Sequence, residues 1–153
     1  ADPVEELVGE GARTPVGLLQ ERVPVTARGA DEPAVCARGR CRLLRRPDLV
    51  TYAVSMSGAF DIPRRFLDGY YDDNTYFHSP LDYLPNLQEA WYLDRFRQNY
   101  FVLAVGNGDS LFDQNVKLAH ALGSRQIPHV LDVWEGFVHD WPWWHQMAQK
   151  FFG

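Results

Sequence analysis

The sequence predicts an α/β fold with parallel strands, and three features of its second half support this prediction. Residues 100–105 (YFVLAV) form an apolar run of β-formers that stops at Gly106, as is typical of a buried strand. A helical pattern over 114–122 follows and stops at Gly123. A second apolar run, 129–134, comes after a short loop. This order indicates a βαβ unit whose two strands lie parallel in one sheet.

The preceding residues predict a further strand and an insertion. Residues 49–56 (LVTYAVSM) are apolar and β-branched and predict a strand that Ser57 and Gly58 end. Residues 59–85 are dense in Tyr, Phe, Asp and Pro, with several turn signals. We expect them to form an irregular insertion over the strand ends, with one or two short helical turns.

Capping residues predict where the helices begin. Asn86 is placed to cap a helix that runs to Phe96 or Arg97, and Asp113 is placed to cap the helix of the βαβ unit. Residues 141–152 predict a last helix, since Pro142 is tolerated in a first turn.

Length, charge and cysteine content exclude several classes of protein. The chain has 153 residues and a net charge of −5, so we expect at most one domain and no nucleic-acid or membrane partner. No apolar run approaches the ~18 residues of a membrane span, and no basic-then-apolar signal pattern opens the chain, so a cytoplasmic location is expected. Cys36 and Cys41 lack the second ligand pair of a zinc site, and we interpret them as ordinary thiols, with no metal or cofactor.

The first part of the chain differs in composition from the rest. All 21 aromatic residues lie from Tyr52 onward, whereas residues 1–51 hold 8 of the 13 arginines and no lysine. Prolines and glycines interrupt any longer element there. This composition is expected for a poorly packed, irregular tail.

Two titratable side chains are predicted to meet at one edge of the sheet. Asp109 follows the strand 100–105 and His139 follows the strand 129–134. The carboxyl ends of parallel strands carry the ligands and chemistry of open α/β sheets. His139 can therefore act as a general base, or it can be a loop histidine bonded to a carbonyl oxygen. Asp109 can orient that base, or it can serve as a turn or capping carboxylate.

Several segments of this half resemble a known family. They are VSMSGAFDI (54–62), FLDGYYDDNTYF (66–77), DYLPNL (82–87), LAVGNGDSLFDQN (103–115), IPHVLDVW (127–134) and HDWPWW (139–144). They are similar to a family of small bacterial α/β-hydrolases, esterases related to the esterase D group. The similarity begins near residue 43 and continues to residue 153. The resemblance implies that 44–153 is the C-terminal part of an α/β-hydrolase domain.

The resemblance also assigns roles to the two titratable residues. In that family the acid follows the penultimate strand and the histidine precedes the last helix, which implies Asp109 as triad acid and His139 as triad base. The family fold further implies a serine on a G-x-S-x-G elbow upstream. That pentapeptide does not occur in this sequence. Its expected place holds AVCARGRCRLLRRPDL (34–49), whose end, LRRPDL, still resembles the family. Residues 1–43 are therefore either translated out of frame or a divergent tail.

Other serines are considered as substitutes for the missing nucleophile. Ser55 and Ser57 in SMSGAF lack the glycine and helix of an elbow, which makes them unlike a nucleophile. Ser110 lies in Gly108–Leu111, the tetrapeptide GDSL that names another serine hydrolase family. The Asp-x-x-His of that family is absent around His139, but Ser110 remains the alternative nucleophile.

The aromatic side chains near His139 have two interpretations. They could line an acyl pocket, but most are expected to form core, because each buries a large area. The cluster comprises Trp134, Phe137, Trp141, Trp143, Trp144, Phe151 and Phe152.

Three hypotheses of function follow. The chain is a serine-esterase-like hydrolase that lacks its nucleophile elbow and oxyanion loop, and is inactive or nearly so on the small acyl esters of intact relatives. Alternatively it is a non-catalytic association module that forms homo-oligomers through an uncovered sheet. In the third hypothesis, Ser110 restores hydrolysis.

Overall fold

The structure is a computed structural model that describes residues 34–35 and 42–153. Residues 1–33 and 36–41, which include Cys36 and Cys41, lie outside these ranges. The predictions that concern them remain predictions.

A parallel sheet forms the centre of the structure. Its strands are β1 (Ala34–Val35), β2 (Tyr52–Met56), β3 (Tyr100–Gly106) and β4 (His129–Trp134), in the order β1-β2-β3-β4. Every neighbouring pair is parallel, and Ala104 of β3 lies opposite Met56 on one side and Asp132 on the other. Strands in sequence order with parallel pairing require a crossover between each pair, and helices supply most of these crossovers.

Seven α-helices and a 3₁₀ turn accompany the strands in the described part of the chain. They are α1 (Arg42–Arg45), α2 (Ile62–Phe66), α3 (Asp73–His78), α4 (Pro80–Tyr83), the 3₁₀ turn Leu84–Asn86, α5 (Ala90–Gln98), α6 (Phe112–Ser124) and α7 (Trp141–Phe152). None of these helices is long and apolar enough to cross a membrane.

The predicted α/β class is confirmed, as are its main elements. Strands occur at 52–56, 100–106 and 129–134, and α7 has the predicted bounds. The strand predicted from residue 49 begins only at Tyr52, because Pro47 to Leu49 form a turn. The insertion contains three short helices and a 3₁₀ turn, which is more helix than predicted.

Two capping predictions were wrong. Asn86 ends the 3₁₀ turn, and its side chain donates to the carbonyl oxygen of Asp82, so α5 begins later, at Ala90. Asp113 lies inside the first turn of α6, whose N-cap position is Leu111. A carboxylate there favours the helix through its dipole without capping it.

Apolar side chains cover both faces of the central strand β3, as is typical of a strand inside a parallel sheet, whereas Val133 of β4 is 48% exposed. On one face Phe101 and Leu103 of β3 belong to a cluster that contains Leu118 and Leu122 of α6. On the other face Ala104 packs with Met147 of α7. Successive side chains of β3 point to opposite faces of the sheet, so each face packs against one helix. The central residues of β3 are fully buried.

The segment before β2 is tied to the core by two buried polar bonds. The Tyr83 hydroxyl donates to the carbonyl oxygen of Leu44 at 2.9 Å, and Asn99 Nδ2 donates to that of Pro47 at 2.9 Å. Burial raises the pKa of the Tyr83 phenol well above its usual range. Residues 44–47 are therefore anchored without belonging to the sheet.

Candidate active site

Two loops at the carboxyl edge of the sheet carry the predicted site residues. One loop leaves β3 at Gly106 and leads through Asp109 into α6, and the other leaves β4 at Trp134 and leads through His139 into α7. Because β3 and β4 are adjacent and parallel, both loops begin at the same edge.

Glycines allow the two loops to come into contact. A Cβ on Gly106 would overlap the carbonyl oxygen of Gly136, and a Cβ on Gly108 would lie 3.0 Å from the carbonyl carbon of Gly136. The N–H of Gly108 donates to that carbonyl oxygen at 3.1 Å. Gly136 itself has φ of +83°, which side chains rarely adopt. Larger residues at Gly106 or Gly108 would push the loops apart, and at Gly136 they would strain the backbone.

Asn107 fastens the contact between the loops. Its N–H donates to the carbonyl oxygen of Trp134 at 2.9 Å, which extends the pairing of the strands by one bond. Its side-chain oxygen accepts from the N–H of Gly136 at 2.7 Å. The turn after β4 is therefore held from the β3 side.

This contact brings Asp109 and His139 together. Asp109 Oδ2 lies 2.8 Å from His139 Nδ1, and Asp109 Oδ1 accepts from the N–H of Leu111 at 2.9 Å. The Asp109 side chain is fully buried, whereas a third of the His139 side chain is exposed. One oxygen of Asp109 therefore holds the turn, and the other contacts the imidazole.

The arrangement fixes how the imidazole can react. An ionised carboxylate only accepts hydrogen bonds, so Nδ1 of His139 carries the proton and donates it to Asp109. Nε2 is then the basic nitrogen when the ring is neutral. No other described side chain or backbone group hydrogen-bonds His139. The pair can hold one tautomer and present a base at Nε2.

Aromatic rings surround the imidazole. The Phe137 ring is nearly parallel to it, with centroids 6.0 Å apart and planes at 17°. The Trp144 ring meets it edge-on at 5.3 Å, and Trp141 in turn meets Trp144 at 5.4 Å. Trp144 is partly buried, but Phe137 and Trp141 are 63% and 71% exposed. Trp143 and Phe152 are also exposed, at 37% and 38%, and only Trp134, Trp144 and Phe151 pack partly buried against the core. The expectation that most of this cluster is core is therefore wrong.

None of the three candidate serines is hydrogen-bonded to His139. The hydroxyls of Ser55 and Ser57 are buried and have no hydrogen-bond partner within the described ranges. Ser110 is exposed, and its Oγ accepts from Arg65 at 3.5 Å. Ser57 has φ of +52° and ends β2 with a sharp turn, but its burial keeps its hydroxyl from substrate.

The turn after β2 is held by α6. Gln114 Oε1 accepts from the N–H groups of Phe60 and Asp61 at 2.8 and 2.9 Å. Asn115 Nδ2 donates to the carbonyl oxygens of Gly58 and Leu111, both at 2.9 Å. The same helix that follows Asp109 therefore fixes the loop at the end of the neighbouring strand.

These supporting residues were not singled out in the sequence. Asn107, Gln114 and Asn115 all lie in the segment VGNGDSLFDQN (105–115), in which polar residues alternate closely with glycines. The high number of amide side chains just after a predicted strand was the sequence signal that could have identified these residues. Across the described residues, no group of three or more His, Cys, Asp or Glu side chains is placed to hold a metal ion.

Comparison with known proteins gives the class of fold. No protein-family model matches the chain. No curated protein matches it either. Among solved structures, a ferulic acid esterase is similar, with a TM-score of 0.58 and 21% sequence identity.

That similarity is partial in length. It covers 71% of this chain and 42% of the ferulic acid esterase, so the chain matches less than half of that enzyme. At this identity the likeness shows the fold alone: the described sheet and helices are a mixed α/β arrangement shared with part of an esterase.

Proposed function

We propose that this chain carries the general base and the acid of an ester-hydrolase site, His139 and Asp109, and that its described residues include no nucleophile to complete such a site. The observation that carries the proposal is the 2.8 Å contact between His139 Nδ1 and the fully buried carboxylate of Asp109. The esterase-like fold and the resemblance of 44–153 to small α/β-hydrolases support the same class of reaction.

The chemistry follows from the tautomer. His139 Nε2 takes a proton from the attacking oxygen as that oxygen bonds to the ester carbonyl carbon. Asp109 holds the ring in position and stabilises the imidazolium that forms. When the ester C–O bond breaks, the same proton passes to the departing alcohol. In a complete triad the attacking oxygen belongs to a serine, and here water takes its place.

The absence of a nucleophile in the described residues sets the expected rate. Ser55 and Ser57 are buried, and Ser110 is bonded by Arg65 rather than by His139. With no serine placed against His139 in the described residues, we expect acceleration no greater than the ~10³–10⁴-fold over water that triad-deleted hydrolases retain.

Hydrolysis of 4-nitrophenyl acetate by the purified protein tests the proposal. We expect slow release of 4-nitrophenol that His139→Ala abolishes and that His120→Ala, at an exposed histidine of α6, leaves unchanged. Equal rates in the wild-type and His139→Ala proteins would overturn the role of the base.

Fluorophosphonate labelling tests the absence of a nucleophile. An activated serine forms a stoichiometric adduct, which intact mass and peptide mapping detect. We expect no adduct within residues 42–153. An adduct on Ser110 that Ser110→Ala removes would instead establish the GDSL alternative and overturn this part of the proposal.

A second candidate function rests on a different surface. The insertion exposes several large apolar side chains on its short helices and turns: Phe66, Leu67, Tyr70, Tyr71 and Phe77. Such a concentration is typical of an association surface. We propose self-association through this surface as the alternative, and a monomer in sedimentation at 100 μM (roughly the concentration at which weak contacts populate) would refute it.

A further inference from the structure

We propose that Phe137 and Trp141 form an aromatic subsite beside the base, and that it binds a neutral, flat aromatic group of the ester substrate. The inference rests on the proposed function, because it assigns a substrate class to the same site. The subsite would bind the substrate, which Asp109 and His139 do not do by themselves.

Phe137 is exposed, although the residue that follows it is buried. Its neighbour Val138 is only 1% exposed and packs with Ala104 and Met147, while Phe137 is 63% exposed. The loop is thus oriented by Val138, and Phe137 must point away from the core. Because the rest of the loop is held by packing, the exposed Phe137 ring has a fixed orientation.

Contacts on both sides of Phe137 hold it in this orientation. The turn before Phe137 is held by Asn107 and by the N–H of Gly108, both of which bind Gly136. On its other side, the Phe137 ring stacks on His139, which Asp109 holds. A preorganised aromatic surface binds a ligand with little loss of side-chain entropy.

The exposed rings lie close to His139, the proposed base. Phe137 lies along the imidazole ring itself, and Trp141 reaches the ring through Trp144. An ester that is attacked by the water which Nε2 of His139 activates therefore lies near the Phe137 ring, and Trp141 lies one ring further away, beyond Trp144. Aromatic pairs prefer offset stacking or edge contacts at centroid distances of about 4.5–7 Å, which a flat ligand ring can satisfy.

The loop around Phe137 carries acidic residues. Glu135 and Asp140 lie in this loop on either side of Phe137 and His139, and both are exposed. Two exposed carboxylates within three residues of Phe137 disfavour an anionic ligand and tolerate a neutral one. A neutral aromatic ester therefore fits this loop better than a carboxylated one.

The experiment measures binding without turnover. The probe is 1-naphthylacetone, the ketone in which a methylene replaces the ester oxygen of 1-naphthyl acetate, so it cannot be hydrolysed. Its comparisons are 1-naphthaleneacetate, an anion of nearly the same shape, and 2-hexanone, which lacks the ring. Titrations are followed by the indole N–H signals and the His139 signals in NMR spectra.

We expect saturable binding of 1-naphthylacetone and weaker binding of the other two probes. Phe137→Ala and Trp141→Ala should each weaken binding about ten-fold, the value of one aromatic contact with its buried area. The matched control is Phe77→Ala, because Phe77 is 60% exposed and contacts Tyr76 rather than His139. It should bind as the wild type does.

The outcomes separate this inference from the proposed function. Binding that depends on Phe137, without any hydrolysis of 4-nitrophenyl acetate, supports the subsite and contradicts the proposed hydrolase function. Equal binding of 2-hexanone and 1-naphthylacetone, or unchanged binding in Phe137→Ala, overturns the subsite even where hydrolysis depends on His139.

Discussion

The N–H of Gly108 donates to the carbonyl oxygen of Gly136 at 3.1 Å, and this bond joins the loop of Asp109 to the loop of His139. The two glycines are far apart in sequence, yet each lies near the start of its loop, just after β3 or β4. The contact between the carboxylate and the imidazole therefore depends on backbone packing that involves no titratable group.

Gly106→Ala should damage this packing. The new methyl group would overlap the carbonyl oxygen of Gly136 and lie 2.8 Å from Val138 Cγ2, so the loops must separate. We expect a loss of about 1–3 kcal/mol in the free energy of unfolding, the usual cost of overpacking. Urea unfolding followed by circular dichroism measures it.

Gly123→Ala provides the matched control for that substitution. Gly123 lies in α6, and a Cβ there meets only His129 Cε1, at an ordinary 3.5 Å. The same chemical change should therefore stabilise the protein by roughly 0.5–1 kcal/mol, because alanine favours a helix over glycine. A loss of stability in both variants would show that the Gly106 result does not come from the loop contact.

Asp109→Asn should change the tautomer of His139. The carboxylate now accepts from two donors, the N–H of Leu111 and His139 Nδ1. An asparagine offers one acceptor oxygen and an NH₂ group, so Nδ1 must become an acceptor if the oxygen stays with Leu111. The proton then resides on Nε2, and the base is lost. Long-range ¹H–¹⁵N NMR spectra of the imidazole distinguish the two tautomers.

Asp140→Asn is the control for this prediction. Asp140 is adjacent to His139 in sequence but is exposed, and its side chain makes no capping bond to α7. Its substitution should leave the Nδ1–H tautomer in place. If Asp109→Asn also leaves that tautomer in place, Asp109 does not orient the ring.

Much of the fold, and the partnership of Asp109 and His139, could be predicted from local sequence. Apolar runs such as 100–105 mark buried strands directly, and parallel pairing then places the loops after β3 and β4 at one edge. The exposure of Phe137 could not be predicted, because it depends on Val138 filling a site between Ala104 and Met147. The start of α5 was not predicted correctly, because the side chain of Asn86 donates to the carbonyl oxygen of Asp82, four residues earlier, and therefore does not cap α5.

Tyr83→Phe should cost stability near neutral pH. It removes the donor to the Leu44 carbonyl oxygen, a bond of 2.9 Å in the core, and leaves that oxygen without this partner. We expect a loss of roughly 1–2 kcal/mol at pH 7, between the net value of a hydrogen bond and the cost of an unsatisfied carbonyl. Urea midpoints of the two proteins at constant ionic strength measure it.

The difference in stability between the wild type and Tyr83→Phe should depend on pH, and the raised pKa of Tyr83 determines the sign of that dependence. Burial raises the pKa of Tyr83 above that of an unfolded tyrosine, so folding favours the neutral phenol. Its contribution is fully present below about pH 10, the unfolded pKa, and is lost as the pH rises above it. The advantage of the wild type over Tyr83→Phe should therefore shrink between pH 9 and pH 11. An advantage that stays constant over this range would contradict the raised pKa.

Asn115→Ala should loosen the turn after β2. Asn115 is fully buried, and its Nδ2 binds the carbonyl oxygens of Gly58 and Leu111, which lie on the loops that follow β2 and β3. Removing the amide leaves both oxygens without this donor and opens a small void, so a loss of about 2–3 kcal/mol is expected. Hydrogen exchange at the N–H groups of Phe60 and Asp61 should accelerate, since Gln114 holds them from the adjacent position.

The control for that substitution is Asn86→Ala. Asn86 also donates from Nδ2 to a carbonyl oxygen at 2.9 Å, that of Asp82, but its bond is exposed to water. Water replaces such a bond, so the change should stay within about 0.5 kcal/mol. If the two variants lose similar stability, burial does not govern the strength of these amide bonds. If only Asn115→Ala is destabilised, α6 is the element that holds the ends of β2 and β3 together, and with them the position of Asp109.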